Sequence, residues 1–280
     1  MSYDISSSKF THPLLKPILI ELTEYFKEFG ITFFVIGATA RDIIMEIHNE
    51  KSGRLTHDLD IAITVNDWNQ YQIIEEGIIK LENFSKDPNQ KQRFLYLDKF
   101  QLDIVPFGEI MNQDSKIFWP PDEEFAMSVL GFSAANNASL KVVIDEEIEI
   151  EIASLSGIFL LKIAAWNDRN NKTNKDADDI GFILNNYLEI NIERAVEFYE
   201  EIYTEDFTIS TGGATLLGKD ISGILAQYQD SKIKIIEIIS IEIGKEEESK
   251  LINQILETHR SLKYEEVRKS LENIVSQLEA

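Results

Sequence analysis

Cysteine is missing from all 280 residues of this sequence. Its absence excludes disulfides, thiol nucleophiles and cysteine-ligated zinc or iron–sulfur sites. Basic residues are scarce as well: 27 lysines and arginines stand against 49 acidic residues, for a net charge of −22. A general nucleic-acid binder usually carries a basic face. An RNA substrate would therefore need a local basic patch, bridging metal ions, or both.

Long hydrophobic runs are also missing. The longest apolar stretches, such as 31–40 and 158–166, are too short to span a bilayer. The opening residues show no basic region followed by an apolar run. We therefore expect no signal peptide, no membrane association and a cytoplasmic location. The hydrophobic content of 44% and the aromatic content of 10% are typical of a globular protein.

Hydrophobic patterning predicts two regions that differ in secondary structure. Strands are expected between about residues 31 and 153, mixed with helices, whereas the patterns after Ser154 are helical. The predicted elements include the strands 31–36, 93–96, 101–107, 140–144 and 148–152 and the helices 39–48, 65–81 and 192–203. The sequence therefore predicts an α/β (α+β) domain over residues 1–155 and a helical C-terminal domain over residues 156–280.

The strongest local signal is a pair of acids in an apolar strand. Asp58 and Asp60 alternate with Leu59 and Ile61, so both carboxylates should project from one face. Two like charges that close are unfavourable unless a cation lies between them, and hard oxygen ligands suit Mg²⁺. The alternative is an exposed strand face with two incidental acids.

A third acid strengthens the metal interpretation. Asp103 lies between Leu102 and Ile104 in another apolar strand, although Asp is depleted in strands. Next to the first strand it would complete a cluster able to hold two metal ions, which assist in-line displacement at phosphorus. An Asp that faces solvent from an edge strand is the alternative.

A small-residue turn precedes these strands. The segment 35–42 is predicted to run from a strand through Gly37 into a helix. Glycine permits close approach of a ligand, and free amides at a helix N-terminus suit a triphosphate. Thr39 would add a hydroxyl donor and Arg41 a charge. Such junctions are also common in purely structural roles, and the pattern is not a P-loop.

Together, these motifs resemble the nucleotidyltransferase superfamily that includes DNA polymerase beta and the CCA-adding enzymes. The motifs are Gly37-x-Thr39-x-Arg41, Arg54-x-Thr56-x-Asp58-x-Asp60 and Asp103. The closest likeness is to AbiEii-type toxins of type IV toxin–antitoxin systems. It implies a nucleotidyltransferase fold with a mixed sheet.

The resemblance also implies residue roles. Asp58, Asp60 and Asp103 would bind Mg²⁺ or Mn²⁺, and Asp103 would help to activate the acceptor hydroxyl. The nucleotide would contact the turn and the stretch before the acid pair, at Gly37, Ala38, Thr39, Arg41, Arg54 and Thr56. Ala38 stands where the superfamily commonly has Gly or Ser, so one phosphate contact is lost.

A downstream motif extends the likeness into the helical region. Lys162 and Arg169 are spaced to share one helical face, and Asp176 and Asp179 follow in a Lys-Asp-x-x-Asp pattern. We expect Lys162 to bind NTP phosphates, oriented by one of the two acids. Alternatively, Lys162 snorkels out of a packed helix, and Asp176 caps its own helix with Thr173.

The expected reaction is transfer of a nucleoside monophosphate from an NTP to an acceptor hydroxyl. The resemblance implies an RNA acceptor, most plausibly tRNA, and a neighbouring antitoxin protein. Two alternatives remain: a small-molecule, antibiotic-type nucleotidyltransferase, and a non-catalytic relative that binds nucleotide or a partner. The glycine-rich segment 212–220 is interpreted as a loop that opens a C-terminal helix.

Overall fold

The computed structural model describes residues 2–52, 58–121, 123 and 126–280. Contacts divide the chain into two compact units, Met1–Ser154 and Leu155–Ala280. The first unit combines strands and helices, and the second unit is helical in its described residues. The predicted fold class, a mixed α/β region followed by a helical region, is confirmed.

The first unit is organised around a mixed sheet. Its strands are β1 (Ser2–Ile5), β2 (Phe33–Ile36), β3 (Asp58–Val65), β4 (Phe84–Lys86), β5 (Arg93–Tyr96), β6 (Phe100–Gly108), β7 (Lys116–Phe118), β8 (Ala126–Ser128), β9 (Leu140–Ile144) and β10 (Ile148–Ile152). Among the described residues, eight of them form one sheet in the order β1-β9-β10-β2-β3-β6-β5-β4. Strands β7 and β8 pair separately.

The helices of this unit are α1 (Leu15–Glu28), α2 (Gly37–Ile47), α3 (Trp68–Ile79) and α4 (Phe132–Asn137). In α1 the buried positions include Leu15, Ile18, Leu19 and Leu22, the spacing of one helical face. The helix ends where Gly30 adopts a φ of +62°, a conformation that glycine accepts without strain.

The centre of the sheet positions the acidic residues. All four residues of β2 are buried, and β2 leads directly into α2. Strand β3 is antiparallel to β2 and parallel to β6. The apolar residues Leu59, Ile61 and Leu102 are fully buried, which turns the alternating acids toward the opposite, partly accessible face.

Several element boundaries differ from the prediction. The predicted strand 31–36 begins at Phe33, and the predicted helix 39–48 begins earlier, at Gly37. The predicted helix 65–81 begins only at Trp68, because the side chain of Asp67 accepts a hydrogen bond from the amide of Gln70 and caps the helix there.

The second unit contains α5 (Leu155–Arg169), α6 (Lys175–Ile190), α7 (Ile192–Ala195), α8 (Tyr199–Ile202), α9 (Ile209–Leu225), α10 (Gln229–Gly244), α11 (Lys250–Thr258) and α12 (Tyr264–Glu279). A 3-10 turn, Val196–Phe198, interrupts the single helix that was predicted over 192–203. Helix α9 packs against α6 and α12. In the described part of the chain, every helix is too short or too polar to cross a membrane.

The interpretation of segment 212–220 as a loop is wrong, because these residues lie inside α9. The small residues are there for close helix packing. A Cβ on Gly213 would lie 3.1 Å from the backbone nitrogen of Leu188 in α6, and one on Gly218 would lie 3.0 Å from the Cα of Ile274 in α12. Glycine has a low helix propensity, but here the close packing of the neighbouring helices leaves no room for a larger residue.

Two glycines of α9 form a matched pair that tests this packing. Gly218→Ala is expected to lower the free energy of unfolding by about 1–3 kcal/mol, because the new Cβ meets Gln277 and the backbone of α12. Gly223→Ala, with nothing within 4 Å of the new Cβ, should raise it by about 0.5–1 kcal/mol. Urea unfolding followed by circular dichroism checks both, and equal effects would contradict the packing account.

Candidate active site

A row of charged side chains crosses the middle of the sheet. In the parallel register of β3 and β6, Asp60 pairs with Asp103, and in the antiparallel register of β5 and β6, Arg93 pairs with Asp103. Residues in register on neighbouring strands project from the same face. The folded sheet therefore brings together Asp60 and Asp103, as the sequence predicted, and adds a cation beside them.

Asp58 lies two residues before Asp60 and thus on the same face of β3. It is half-buried, and its backbone carbonyl accepts a hydrogen bond of 3.0 Å from the Thr39 hydroxyl. Asp58 and Thr39 line a cleft together with His12, whose ring packs against Phe100 at a centroid distance of 4.5 Å. Thr39 thus ties the first turn of α2 to the strand that carries the acid pair.

Gly37, the first residue of α2, lies very close to Asp60. It has a φ of +66°, and a Cβ at this position would lie 2.6 Å from Oδ2 of Asp60. A side chain would therefore be strained and would collide with the carboxylate. The predicted need for glycine at this turn has a physical cause, which is the approach of Asp60 itself.

The variants Gly37→Ala and Gly30→Ala separate backbone strain from the collision with Asp60. Both glycines have positive φ values, but nothing lies within 4 Å of a Cβ at Gly30. Each variant is expected to lose roughly 1–2 kcal/mol of unfolding free energy from backbone strain. Only Gly37→Ala should also displace Asp60 and reduce nucleotide transfer, by about a hundredfold. Parallel activity and unfolding measurements check this, and equal activity in the two variants would contradict it.

Arg93 is the residue of this face that the sequence interpretation missed. Its Nε lies 2.7 Å from Oδ1 of Asp103 and its Nη2 lies 2.9 Å from Oδ2, so the pair is bidentate. The hydrogen bond to Asp103, with the charges of Asp58 and Asp60 nearby, raises the pKa of Arg93. A signal was present, because a hairpin centred on residue 98 places position 93 opposite position 103.

The donor chemistry of the three acids fits a hard cation, since carboxylate oxygens are the ligands that Mg²⁺ prefers. The arrangement in this structure is nevertheless not a preformed cage. Across the described residues, no group of three or more acidic or histidine side chains is placed to hold a metal ion. Both oxygens of Asp103 are instead engaged by Arg93.

The other predicted nucleotide-binding residues of this unit occupy different environments. Ala38 is half-buried in the first turn of α2. Arg41 is 1% exposed, and its Nη2 donates to Oδ1 of Asp42 at 2.8 Å. Arg54 and Thr56 lie outside the described residues. Arg41 therefore contributes to the internal structure of α2, and its contact with a phosphate stays a prediction.

In the second unit, the predicted basic and acidic residues form one ion-pair cluster, in which the two acids are buried and Arg169 is exposed. The Nζ of Lys162 lies 2.6 Å from Oδ2 of Asp179 and 3.3 Å from Oδ1 of Asp176. Arg169 adds two hydrogen bonds of 2.7 Å to Asp176. Lys162 and Arg169 thus reach from α5 to the same carboxylate on α6.

Burial and neighbouring charges shift the pKa values of Lys162 and Asp176 in opposite directions. Burial by itself lowers the pKa of Lys162, but the charges of Asp179 and Asp176 outweigh it and raise the pKa above the ordinary value. Burial by itself raises the pKa of Asp176, but the bonds from Arg169 and the charge of Lys162 outweigh it and lower the pKa. Both groups are therefore charged at neutral pH, and Lys162 is held in a fixed place.

Lys162 and Asp176 are not arranged as the two structural alternatives predict. The Lys162 side chain is 14% exposed, so it does not snorkel into solvent. The Thr173 hydroxyl accepts a hydrogen bond from the amide of Lys175, while the carboxylate of Asp176 is bound by the two basic side chains. Trp166, on the same helix as Lys162, is buried and donates its indole N–H to Gln254.

Comparison with known protein families identifies the family of this chain. The model of the family described as nucleotidyl transferase AbiEii toxin, type IV TA system, matches residues 22–271. Because the match spans most of the chain, this protein belongs to that family and is a nucleotidyltransferase. The resemblance inferred from the sequence motifs is thereby confirmed.

Three solved structures have a distant similarity to this chain. ANT(2'')-Ia in complex with adenylyl-2''-tobramycin is 11% identical, with a TM-score of 0.36 over 66% of this chain and 98% of that one. A solution structure of the antibiotic-resistance factor ANT(2'')-Ia is 13% identical, with a TM-score of 0.36 over 65% and 90%. A tRNA-processing enzyme in an apo form is 13% identical, with a TM-score of 0.26 over 94% and 74%. No curated protein sequence matches significantly.

Proposed function

We propose that this protein transfers a nucleoside monophosphate from an NTP to an acceptor hydroxyl, with release of pyrophosphate, and that Asp58, Asp60 and Asp103 hold the Mg²⁺ or Mn²⁺ required. The observation that carries the proposal is the juxtaposition of the three acids on one face of β3 and β6, beside Gly37. When bound, the metal supplies charge neutralisation for both the attacking and the leaving oxygen.

The chemistry is a single displacement at the α-phosphorus. The acceptor oxygen forms a bond to that phosphorus, the bond to the bridging oxygen of the β-phosphate breaks, and pyrophosphate carries away the electron pair. The carboxylate of Asp103 accepts the hydroxyl proton. The N-terminal amides of α2, at Gly37, Ala38 and Thr39, bind the triphosphate because they are not used within the helix.

Basic residues neutralise the rest of the negative charge on the NTP phosphates. In this proposal Lys162, oriented by Asp179 and Asp176, binds an NTP phosphate, and Arg169 supports Asp176. Arg54 or Arg41 provides a second positive charge, and Thr56 a hydroxyl, as the family motif implies. These groups stabilise the negative charge that spreads over the phosphoryl oxygens in the transition state.

For the acceptor we favour an RNA end, with tRNA foremost, in the cytoplasm, and with an antitoxin protein as the physiological counterpart. The support is the family itself, whose description names a toxin of a type IV system. With a net charge of −22, contact with RNA must be local and must include the metal-binding face. Binding to tRNA should accordingly be weak, and because few phosphates are neutralised its affinity should fall only modestly as salt rises.

A second acceptor class is favoured by the same charge. A net charge of −22 attracts cationic small molecules such as aminoglycosides, which carry several amines and hydroxyls.

A non-catalytic protein that binds nucleotide or a partner is the third candidate function, and Ala38 in place of Gly or Ser is the feature in its favour. The retained acid row on β3 and β6 speaks against it.

One experiment separates these three functions. The purified protein is incubated with Mg²⁺ and each α-³²P-labelled NTP, together with total tRNA or with an aminoglycoside. Label that moves into tRNA supports the RNA acceptor, and label that moves only into the aminoglycoside supports the small-molecule reaction. Nucleotide binding without any labelled product, under either condition, would contradict the enzymatic proposal and leave a binding protein.

A further inference from the structure

The ion pair between Arg93 and Asp103 is partly buried and bidentate, unlike an ordinary ion pair at the protein surface. The two side chains are 23% and 13% exposed, they lie in register on adjacent strands, and two parallel hydrogen bonds of 2.7 and 2.9 Å join them. A bidentate guanidinium–carboxylate pair is strong and fixes the plane of the carboxylate. Asp103 is therefore held in one orientation by a cation that belongs to the chain itself.

The position of Arg93 places it at the end of the acidic row. Its partner Asp103 is the register neighbour of Asp60, and the charges of Asp58 and Asp60 act on the guanidinium in addition to that of Asp103. Carboxylates that lie on one face of neighbouring strands repel one another unless a positive charge compensates them. In this structure the guanidinium of Arg93 supplies such a charge.

A divalent ion bound by Asp103 would compete directly with this pair. The ion would bind Asp103 at close range, where both oxygens already accept a hydrogen bond from Arg93. Two positive charges next to the same carboxylate also repel each other. Each oxygen of Asp103 keeps a second lone pair, so a metal ion could share the carboxylate with Arg93, but only against the repulsion of the guanidinium.

We propose that Arg93 is a positioning residue that acts as the counter-ion of Asp103 in the metal-free enzyme and competes with the metal ion for it. Arg93 keeps the acid row folded and oriented before the ion arrives, and it weakens the affinity of the site for the ion. This inference rests on the proposed metal-dependent function. It assigns to Arg93 a role in metal affinity that is separable from the transfer reaction.

The test measures metal binding without any substrate. Mn²⁺ is titrated into the full chain and free Mn²⁺ is followed by electron paramagnetic resonance. Arg93→Gln is expected to bind Mn²⁺ about tenfold more tightly than wild type, the affinity equivalent of one charge-assisted hydrogen bond. Arg93→Lys, which keeps the charge but not the bidentate geometry, should fall between the two.

A matched control removes a positive charge elsewhere on the same sheet. Lys141 on β9 pairs with Glu149 at 3.0 Å, away from the acid row in the strand order. Lys141→Gln should leave the Mn²⁺ affinity unchanged. An equal gain in Lys141→Gln would overturn the proposal, since the effect would then be one of net charge alone. Unchanged or weaker binding by Arg93→Gln would overturn it too.

The outcomes also distinguish this inference from the proposed function. If wild type binds Mn²⁺ and Arg93→Gln gains nothing, only the competition fails, and the metal site stands. If neither protein binds Mn²⁺ while both remain folded by circular dichroism, the metal site and the competition fail together. Should Arg93→Gln not fold, Arg93→Lys carries the test, and affinity equal to that of wild type would then count against competition.

Discussion

Replacing Asp58 and Asp60 together by Asn is expected to lower the rate of nucleotide transfer by about a thousandfold or more, because the variant keeps the shape of both side chains but loses the charges that hold the metal. The fold should persist, since both side chains lie on the partly accessible face and the strand buries Leu59 and Ile61. Rates of pyrophosphate release from wild type and variant, measured at saturating NTP and Mg²⁺, check this expectation.

A matched control for this variant is Asp114→Asn, which removes one acid from an exposed loop position. It should retain the activity and the melting temperature of wild type. A double Asn variant with nearly full activity would refute the assignment of Asp58 and Asp60. A variant that is both inactive and unfolded would show instead that the acids are needed for the structure of β3.

The second large effect is expected in the helical unit. Lys162→Met leaves Asp179, which is 0% exposed, without its 2.6 Å partner. Removal of one member of a buried ion pair typically costs about 3–5 kcal/mol of unfolding free energy. We expect a loss of this size and loss of transfer activity, measured by urea unfolding and by pyrophosphate release. The exposed Lys172→Met serves as the control and should change neither quantity.

A double variant separates the structural role of Lys162 from its functional role. In Lys162→Met/Asp179→Leu no buried charge at this pair remains uncompensated, and an apolar pair of similar volume often restores stability. We expect most of the lost stability to return while the activity stays lost. Recovery of activity together with stability would show that Lys162 acts only as a structural counter-ion.

Local patterns predicted the strands that build the site, because their signals are strong over short distances. The hairpin strands β9 and β10 have the predicted bounds, Leu140–Ile144 and Ile148–Ile152. The alternation around Asp60 and the apolar flanks of Asp103 also placed both acids on strands, although their adjacency depends on the parallel register of β3 and β6. That register comes from long-range packing, which no local pattern contains.

Other features could not be predicted because they depend on neighbours in space. The glycine-rich stretch around Gly213 and Gly218 has the composition of a loop, yet contact with α6 and α12 makes it helical. Arg93 looks like an ordinary strand residue until the register places it against Asp103. Similarly, Arg41 was expected near a phosphate, but its burial and its bond to Asp42 appear only in the folded unit.

The central claim is that this chain transfers a nucleotidyl group, and the position of the label in the NTP tests it most directly. The purified protein is given Mg²⁺, total tRNA and one NTP that is labelled either at the α-phosphate or at the γ-phosphate, and the RNA is separated on a denaturing gel. The account predicts label in the RNA from the α-labelled NTP only, with the γ label recovered in pyrophosphate. Label in the RNA from the γ-labelled NTP would mean phosphoryl transfer and would contradict the proposed function.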